Sequence, residues 1–105
     1  MEISNAKVAR ILKNVAAALT IKKTGNIFQI RAYENAADII EHSTVEIFDL
    51  WQEGKLAEVP GLGEKIQGYL NELFVRGRVK HFEELQKGIP PVVFDFLDIT
   101  GIGPK

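Results

Sequence analysis

The chain has 105 residues, 46% of them hydrophobic, with a formal net charge of −1 and no cysteine. Length and apolar content together imply one domain with a modest core and argue against disorder, while the lack of cysteine excludes a disulfide scaffold and a cysteine-type zinc site. The near-neutral charge excludes a strongly cationic nucleic-acid binder, so any phosphate binding must come from a few local groups.

Helical spacing dominates, with glycine as punctuation. A first helix is predicted from about Asn5 to Lys23, with Val8, Ile11, Leu12, Val15 and Leu19 on its apolar face, Ser4 or Asn5 as N-cap and Gly25 as the stop. A second runs from about Ile27 to Glu41 with the stripe Phe28, Ala32, Ala36, Ile39 and Ile40. Ser43 to Glu46, "STVE", has the spacing of a capping box and should open a short third helix that partly buries Ile47, Phe48, Leu50 and Trp51 and closes at Gly54. Residues Lys55 to Glu58 allow one further turn before Pro60. The next helix is predicted from Gly63 to Arg76, stopped by Gly77, with Ile66, Leu70, Leu73 and Phe74 inward. Val79 to Lys87 forms another, facing Phe82 and Leu85 inward. "GIPP" (Gly88 to Pro91) breaks the chain before a last short helix through Phe94 and Leu97. No stretch alternates with period two, so the fold class is all-α, a small helical bundle with short connections.

The longest apolar run is well short of a membrane span, and the N-terminus lacks a signal-peptide core, so no membrane is expected as partner. The two histidines, His42 and His81, have no ligand-like spacing, and no metal site is expected on them.

One turn occurs twice. "EVPGLGEK" (Glu58 to Lys65) returns as "DITGIGPK" (Asp98 to Lys105), where the chain ends. Pro60 fixes φ and donates no hydrogen bond, so it stops the helical turn before it. Gly61 and Gly63 leave no Cβ between the turn and an approaching ligand. Leu62 between them can anchor the turn in the core. Gly63 leads into a helix whose first amides have no internal partner, and those amides with the helix dipole favour an anion. Lys65 adds a mobile positive charge, and Glu64 lies beside it. The P-loop spacing is absent and no strand precedes the turn, so an NTPase reading fails. A tight interhelical corner without a ligand explains one copy as well as a phosphate clamp does. Two matched copies favour the clamp. The second copy, with Gly101, Gly103 and Lys105, has a helix before it and none after, as expected of a chain cut inside a second helix–turn–helix unit with a frayed tail.

"VPGLGEKI" and "ITGIGPK" resemble the helix-hairpin-helix motif of DNA repair and replication proteins. Taken in order, "IRAYENAADII", "VPGLGEKIQGYLNELFVRGRV", "FEEL" and "ITGIGPK" resemble the N-terminal region of family X DNA polymerases, the polymerase beta-like group, from about Asn5 to the end. The resemblance implies a polymerase beta-type N-terminal domain over residues 1–88 and the start of the thumb or fingers subdomain over 89–105. It implies that the domain grips the backbone of gapped or nicked DNA on the 5′-phosphate side during base excision repair, through Gly61, Leu62, Gly63, Glu64 and Lys65, with Arg31 and Tyr33 nearby and Gly101, Gly103 and Lys105 in the second hairpin. It further implies a monovalent cation, Na+ or K+, held by the backbone carbonyls of Ala57, Val59 and Leu62 when DNA is bound. Mg2+ is implied only for the nucleotidyltransferase domain that would follow.

The sequence departs from that family at its lyase centre. The nucleophilic lysine's position holds Tyr69, and a phenol forms no Schiff base. Gly68 replaces the preceding glutamate, and Gln29, Phe28 and His81 replace other basic pocket residues, while Tyr33 and Lys65 match. No catalytic residue is therefore assigned. Lys22, Lys23, Lys65 or the N-terminal amine remain opportunistic amines for a residual abasic-site lyase. Arg76, Arg78 and Lys80 form a small basic cluster equally explained by a helix C-terminus. Trp51 reads as core or rim, and Glu34, Asp38, Glu41 and Glu46 as the face turned away from DNA. By counterion logic about two to four neutralised phosphates are expected, hence weak, salt-sensitive, sequence-independent binding by a monomer in the cytoplasm, nucleoid-associated if prokaryotic. The rival class is an all-α protein-interaction domain whose hairpins no longer meet DNA.

Overall fold

The structure, a computed structural model, describes residues 3–94. It contains α1 (Asn5–Lys22), α2 (Ile27–Glu41), α3 (Ile47–Gln52), a 3-10 turn (Leu56–Glu58), α4 (Glu64–Arg76) and α5 (Lys80–Gln86). Residues 91–94 are again helical, and no strand occurs among the described residues. The all-α reading and the element order therefore hold. The second glycine turn, with Gly101, Gly103 and Lys105, lies outside the described residues. No helix among them is long and apolar enough to cross a membrane.

Helix α1 is the axis of the bundle. Val8, Leu12, Val15 and Leu19 are fully enclosed at helical spacing, with Ala9 and Ala16 filling the gaps between them. Ser4 is the N-cap, its Oγ accepting from the Lys7 N–H at 3.2 Å. The stop is one feature the sequence reading placed wrongly. Lys23, not Gly25, takes the left-handed conformation (φ 56°) and returns its N–H to the last carbonyls of α1. Gly25 serves close approach instead, since a Cβ there would stand 3.1 Å from the Leu19 and Gln29 side chains.

Helix α2 begins where expected, with Asn26 Oδ1 accepting from the Gln29 N–H at 2.8 Å. Its buried face is Tyr33, Ala36, Ala37 and Ile40. The expected stripe is therefore corrected: Ala36 and Ile40 are buried, but Phe28 is 82% exposed and Ala32 is exposed too. The face that meets the core is Tyr33, Ala36, Ala37 and Ile40, at i, i+3, i+4 and i+7, next to the Phe28–Ala32–Ala36–Ile39 row. Tyr33 packs edge-on to Phe82 (centroids 5.8 Å apart) and beside Tyr69. This aromatic contact with α4 and α5 is what sets the rotation of α2 about its axis.

Helix α3 starts without a capping box. Ser43 Oγ turns back on Val45, accepting its N–H and donating to its carbonyl. The cap comes instead from Asn5, far away in sequence. Asn5 Oδ1 accepts from the Ile47 N–H at 2.7 Å, and Asn5 Nδ2 donates to the Val45 carbonyl at 2.9 Å. The Asn5 N–H in turn donates to Glu46 Oε1 at 3.3 Å. One buried amide thus ties the start of α1 to the start of α3. Trp51 lies half-buried at the rim with Phe48 and Phe74, and its Nε1 donates to Asn71 Oδ1 at 2.8 Å.

Candidate functional site

The corner between the 3-10 turn and α4 is built from both sides by leucines. Leu56 and Leu62 are buried in the main core, while Pro60, Gly61, Gly63, Glu64 and Lys65 face solvent. Gly61 has φ +89°, a left-handed conformation that a side chain would strain, and a Cβ there would come 2.5 Å from Ile39 Cδ1. Gly63 is different. It has extended backbone (φ −70°, ψ 162°) as the N-cap of α4, and a Cβ there would meet nothing within 4 Å.

Gln67 braces this corner. Its N–H donates to the Gly63 carbonyl at 3.0 Å, as a helix requires, and its Nε2 donates to the Leu62 carbonyl at 2.8 Å. The sequence reading missed it, because a glutamine one turn into a helix carries no signal until the turn's path is known. No side chain caps the N-terminus of α4. The first amides of that helix therefore lie at an exposed corner with no intrahelical partner, at the positive end of a 13-residue helix. Lys65 adds a charge there and Glu64 partly offsets it.

A family model for the helix-hairpin-helix domain matches residues 3–79, well over half of the chain. The protein belongs to the helix-hairpin-helix domain family. The hairpin is the Val59–Gly63 corner, and the match ends at Val79, just before α5. No curated protein matches this helix-hairpin-helix domain as a relative.

Of the remaining residues singled out from sequence, Arg31 lies exposed on α2. It shares a helix face with Asn35 and Ile39, and Ile39 is the residue under Gly61. The outer face of α2 therefore runs up to the hairpin, with Phe28 at its far end. Tyr33 is not on it. At 3% exposed, with Tyr69 beside one face and Phe82 against it, Tyr33 has no free ring to offer a sugar or base. Burial, and secondarily the Tyr69 phenol, raise its hydroxyl well above the ordinary value of 10.0. A neutral phenol favoured by folding contributes stability below pH 10, and that contribution is lost as pH rises through and beyond 10. Alkaline denaturation followed by circular dichroism should accordingly steepen above pH 10, and Tyr33→Phe should flatten that limb without steepening the acid side.

Tyr69 is half-buried and stacks on His81 (centroids 5.3 Å, rings 15° apart). Tyr69 thus stands in an aromatic ladder with Tyr33, His81 and Phe82. Lys22 Nζ donates to the Leu85 and Lys87 carbonyls at 3.1 and 2.7 Å. Lys65 has no hydrogen-bond or ion-pair partner among the described residues. The Arg76, Arg78 and Lys80 cluster lines an open groove of about 370 Å³ at the other end of α4, together with Glu72, Glu83, Glu84 and Lys87. Arg78 pairs with Glu83, and Glu72 accepts the Lys80 N–H at 2.9 Å, so this charge is largely balanced by carboxylates. His42 stands with Asp38 and Glu41 at the exposed end of α2, but Glu41 is held by Lys13 at 2.7 Å and His42 Nδ1 lies 2.8 Å from the Asp38 carbonyl.

Proposed function

We propose that this domain binds DNA through its phosphate backbone at the Gly61–Lys65 corner, without reading sequence, as the N-terminal domain of a family X DNA polymerase acting on gapped or nicked DNA. Helix-hairpin-helix domains typically bind DNA in this sequence-independent way. The observation that carries the reading is the uncapped N-terminus of α4, exposed behind two glycines and next to Lys65, which has no partner among the described residues. A phosphate there meets donors already aimed outward and a positive helix end. Placement in family X rests on the order and spacing of the segments around the hairpin, and the preference for the 5′-phosphate side rests on that placement. No catalytic role is assigned to this chain, since Tyr69 cannot form a Schiff base.

The carbonyls of Ala57, Val59 and Leu62 are hard oxygen donors of the type that Na+ or K+ accepts. Gln67 takes one lone pair of the Leu62 oxygen, and a carbonyl has two. With DNA bound, these carbonyls would hold a monovalent cation, which would offset part of a phosphate's negative charge. Glu64 would remain beside that phosphate as a cost.

The test is fluorescence-anisotropy titration of one-nucleotide-gapped DNA bearing a 5′-phosphate, at several salt concentrations. Dissociation constants of about 1–100 µM near physiological salt are expected, rising steeply with salt. Lys65→Ala should reduce the log–log salt slope by about 0.9, the effect of one phosphate contact, and weaken binding equally for unrelated sequences. A second reading is favoured by the exposure of Phe28 and Ile27 at the start of α2: an apolar surface for a protein partner. Lack of DNA binding at low salt, or binding indifferent to Lys65, would leave that reading in its place.

A further inference from the structure

We infer that α1 carries a second docking face that locks residues 85–94, so that this segment and the hairpin core move as one body.

Two independent contacts define this face. The first is apolar. Ala17 and Ala18 are buried outside the main core, in a separate cluster with Phe94, itself 8% exposed, and with half-buried Ile89 packed beside them. Alanines on α1 let residues 89–94 come close, and the Phe94 ring fills the space that their small side chains leave. The second contact is polar. The Lys22 ammonium, four and five residues further along α1, donates to the carbonyls of Leu85 and Lys87. These belong to the C-terminal end of α5, where carbonyls lack intrahelical partners and the dipole favours a cation. Lys22 acts as a cap supplied by another helix.

The segment between these contacts has little slack. The N–H groups of Lys87, Ile89 and Val93 donate to the carbonyls of Glu84, Gln86 and Pro90, at 3.3, 3.1 and 3.0 Å. Pro90 and Pro91 restrict φ, and Gly88 makes the one left-handed bend (φ +89°) that redirects the chain. The "GIPP" sequence breaks the helical pattern, but here it is fastened at both ends. The occupant of the α1 face is this chain's own 85–94 segment, and the seat holds it without reference to any ligand. The inference stands whether or not the hairpin binds DNA.

The Lys87–Gly88 bond, which trypsin recognises, reports on this lock in the full 105-residue chain. Digestion under native conditions, followed by mass spectrometry, should cut after Lys87 far more slowly than in a free peptide spanning residues 80–95. Lys22→Met and, separately, Phe94→Ser should each accelerate that cut about tenfold, as local opening becomes easier, while amide exchange at Leu12 and Leu70 stays unchanged. The wild-type chain also gives a reading that needs no variant. Steady-state 15N–1H NOE values at Gly88, Ile89, Val92 and Val93 should equal those of α1. Loop-like NOE values at those amides, or a wild-type cleavage rate matching the free peptide, would overturn the inference. So would an unchanged rate after Lys87 in both variants.

Discussion

Replacing Asn5 with alanine is expected to lower the unfolding free energy by about 1–3 kcal/mol, because it strands the buried N–H of Ile47, while the Val45 carbonyl keeps the Ser43 hydroxyl as a donor. The side chain is 7% exposed and both of its polar atoms are satisfied, so water cannot readily replace it. Helix α3 has no cap of its own, and with only six residues it is too short to persist without one. The loss should show first at that corner. Trp51, the single tryptophan, lies on α3 against Phe48 and Phe74 and reports it directly. Urea unfolding followed by Trp51 fluorescence should shift to lower midpoint, and hydrogen exchange at Ile47 should accelerate before that at Leu12. Asn5→Asp keeps the acceptor for Ile47 but loses the donor to Val45 and sets a carboxylate near Glu46, so it should rescue only part of the loss. Equal stability of wild type and Asn5→Ala would mean that the cap is not the contact holding α3.

The two glycines of the hairpin should respond in opposite ways. Gly61→Val forces a β-branched residue to φ +89° and drives its Cβ towards Ile39 Cδ1. Such backbone strain costs about 1–3 kcal/mol, and Ile39, with a flexible end, relieves only the contact. Stability and any DNA binding should fall together. Gly63→Ala meets open space and an ordinary backbone conformation, so the folded chain should be as stable as wild type or up to about 1 kcal/mol more stable, since alanine restricts the unfolded chain. On the proposed reading, however, its methyl group would crowd a phosphate approaching the α4 amides. Weaker gapped-DNA binding with undiminished thermal stability in Gly63→Ala is the expected result. Undiminished binding would show that nothing approaches those amides closely.

Local rules carried much of this fold. The limits of α2 and α4, the stop at Gly77 and the Gly61–Gly63 turn all depend on neighbours a few residues apart, and periodicity and turn chemistry reveal such features. What escaped was long-range. The Asn5 cap joins residues 42 positions apart, and "STVE" offered a nearer cap that the chain does not use. The rotation of α2 was misjudged because Phe28 outranks Tyr33 in hydrophobicity, whereas the ring that fits against Phe82 and Tyr69 is the tyrosine. Gln67 and Lys22 act on carbonyls whose positions no pattern encodes. At the hairpin, exposure of the glycines and burial of Leu62 follow from the residues alone; the absence of a capping side chain at α4 does not.

The brace at Gln67 has a kinetic meaning. Because this side chain holds the Leu62 carbonyl while the leucine itself is sunk in the bundle, the loop has few other shapes to visit. A ligand meeting it forfeits little ordering entropy, of the kind that costs flexible loops about 0.5–1.5 kcal/mol per immobilised side chain. Encounters should then succeed at the pace of diffusion and orientation, with differences in residence time left to charge and salt.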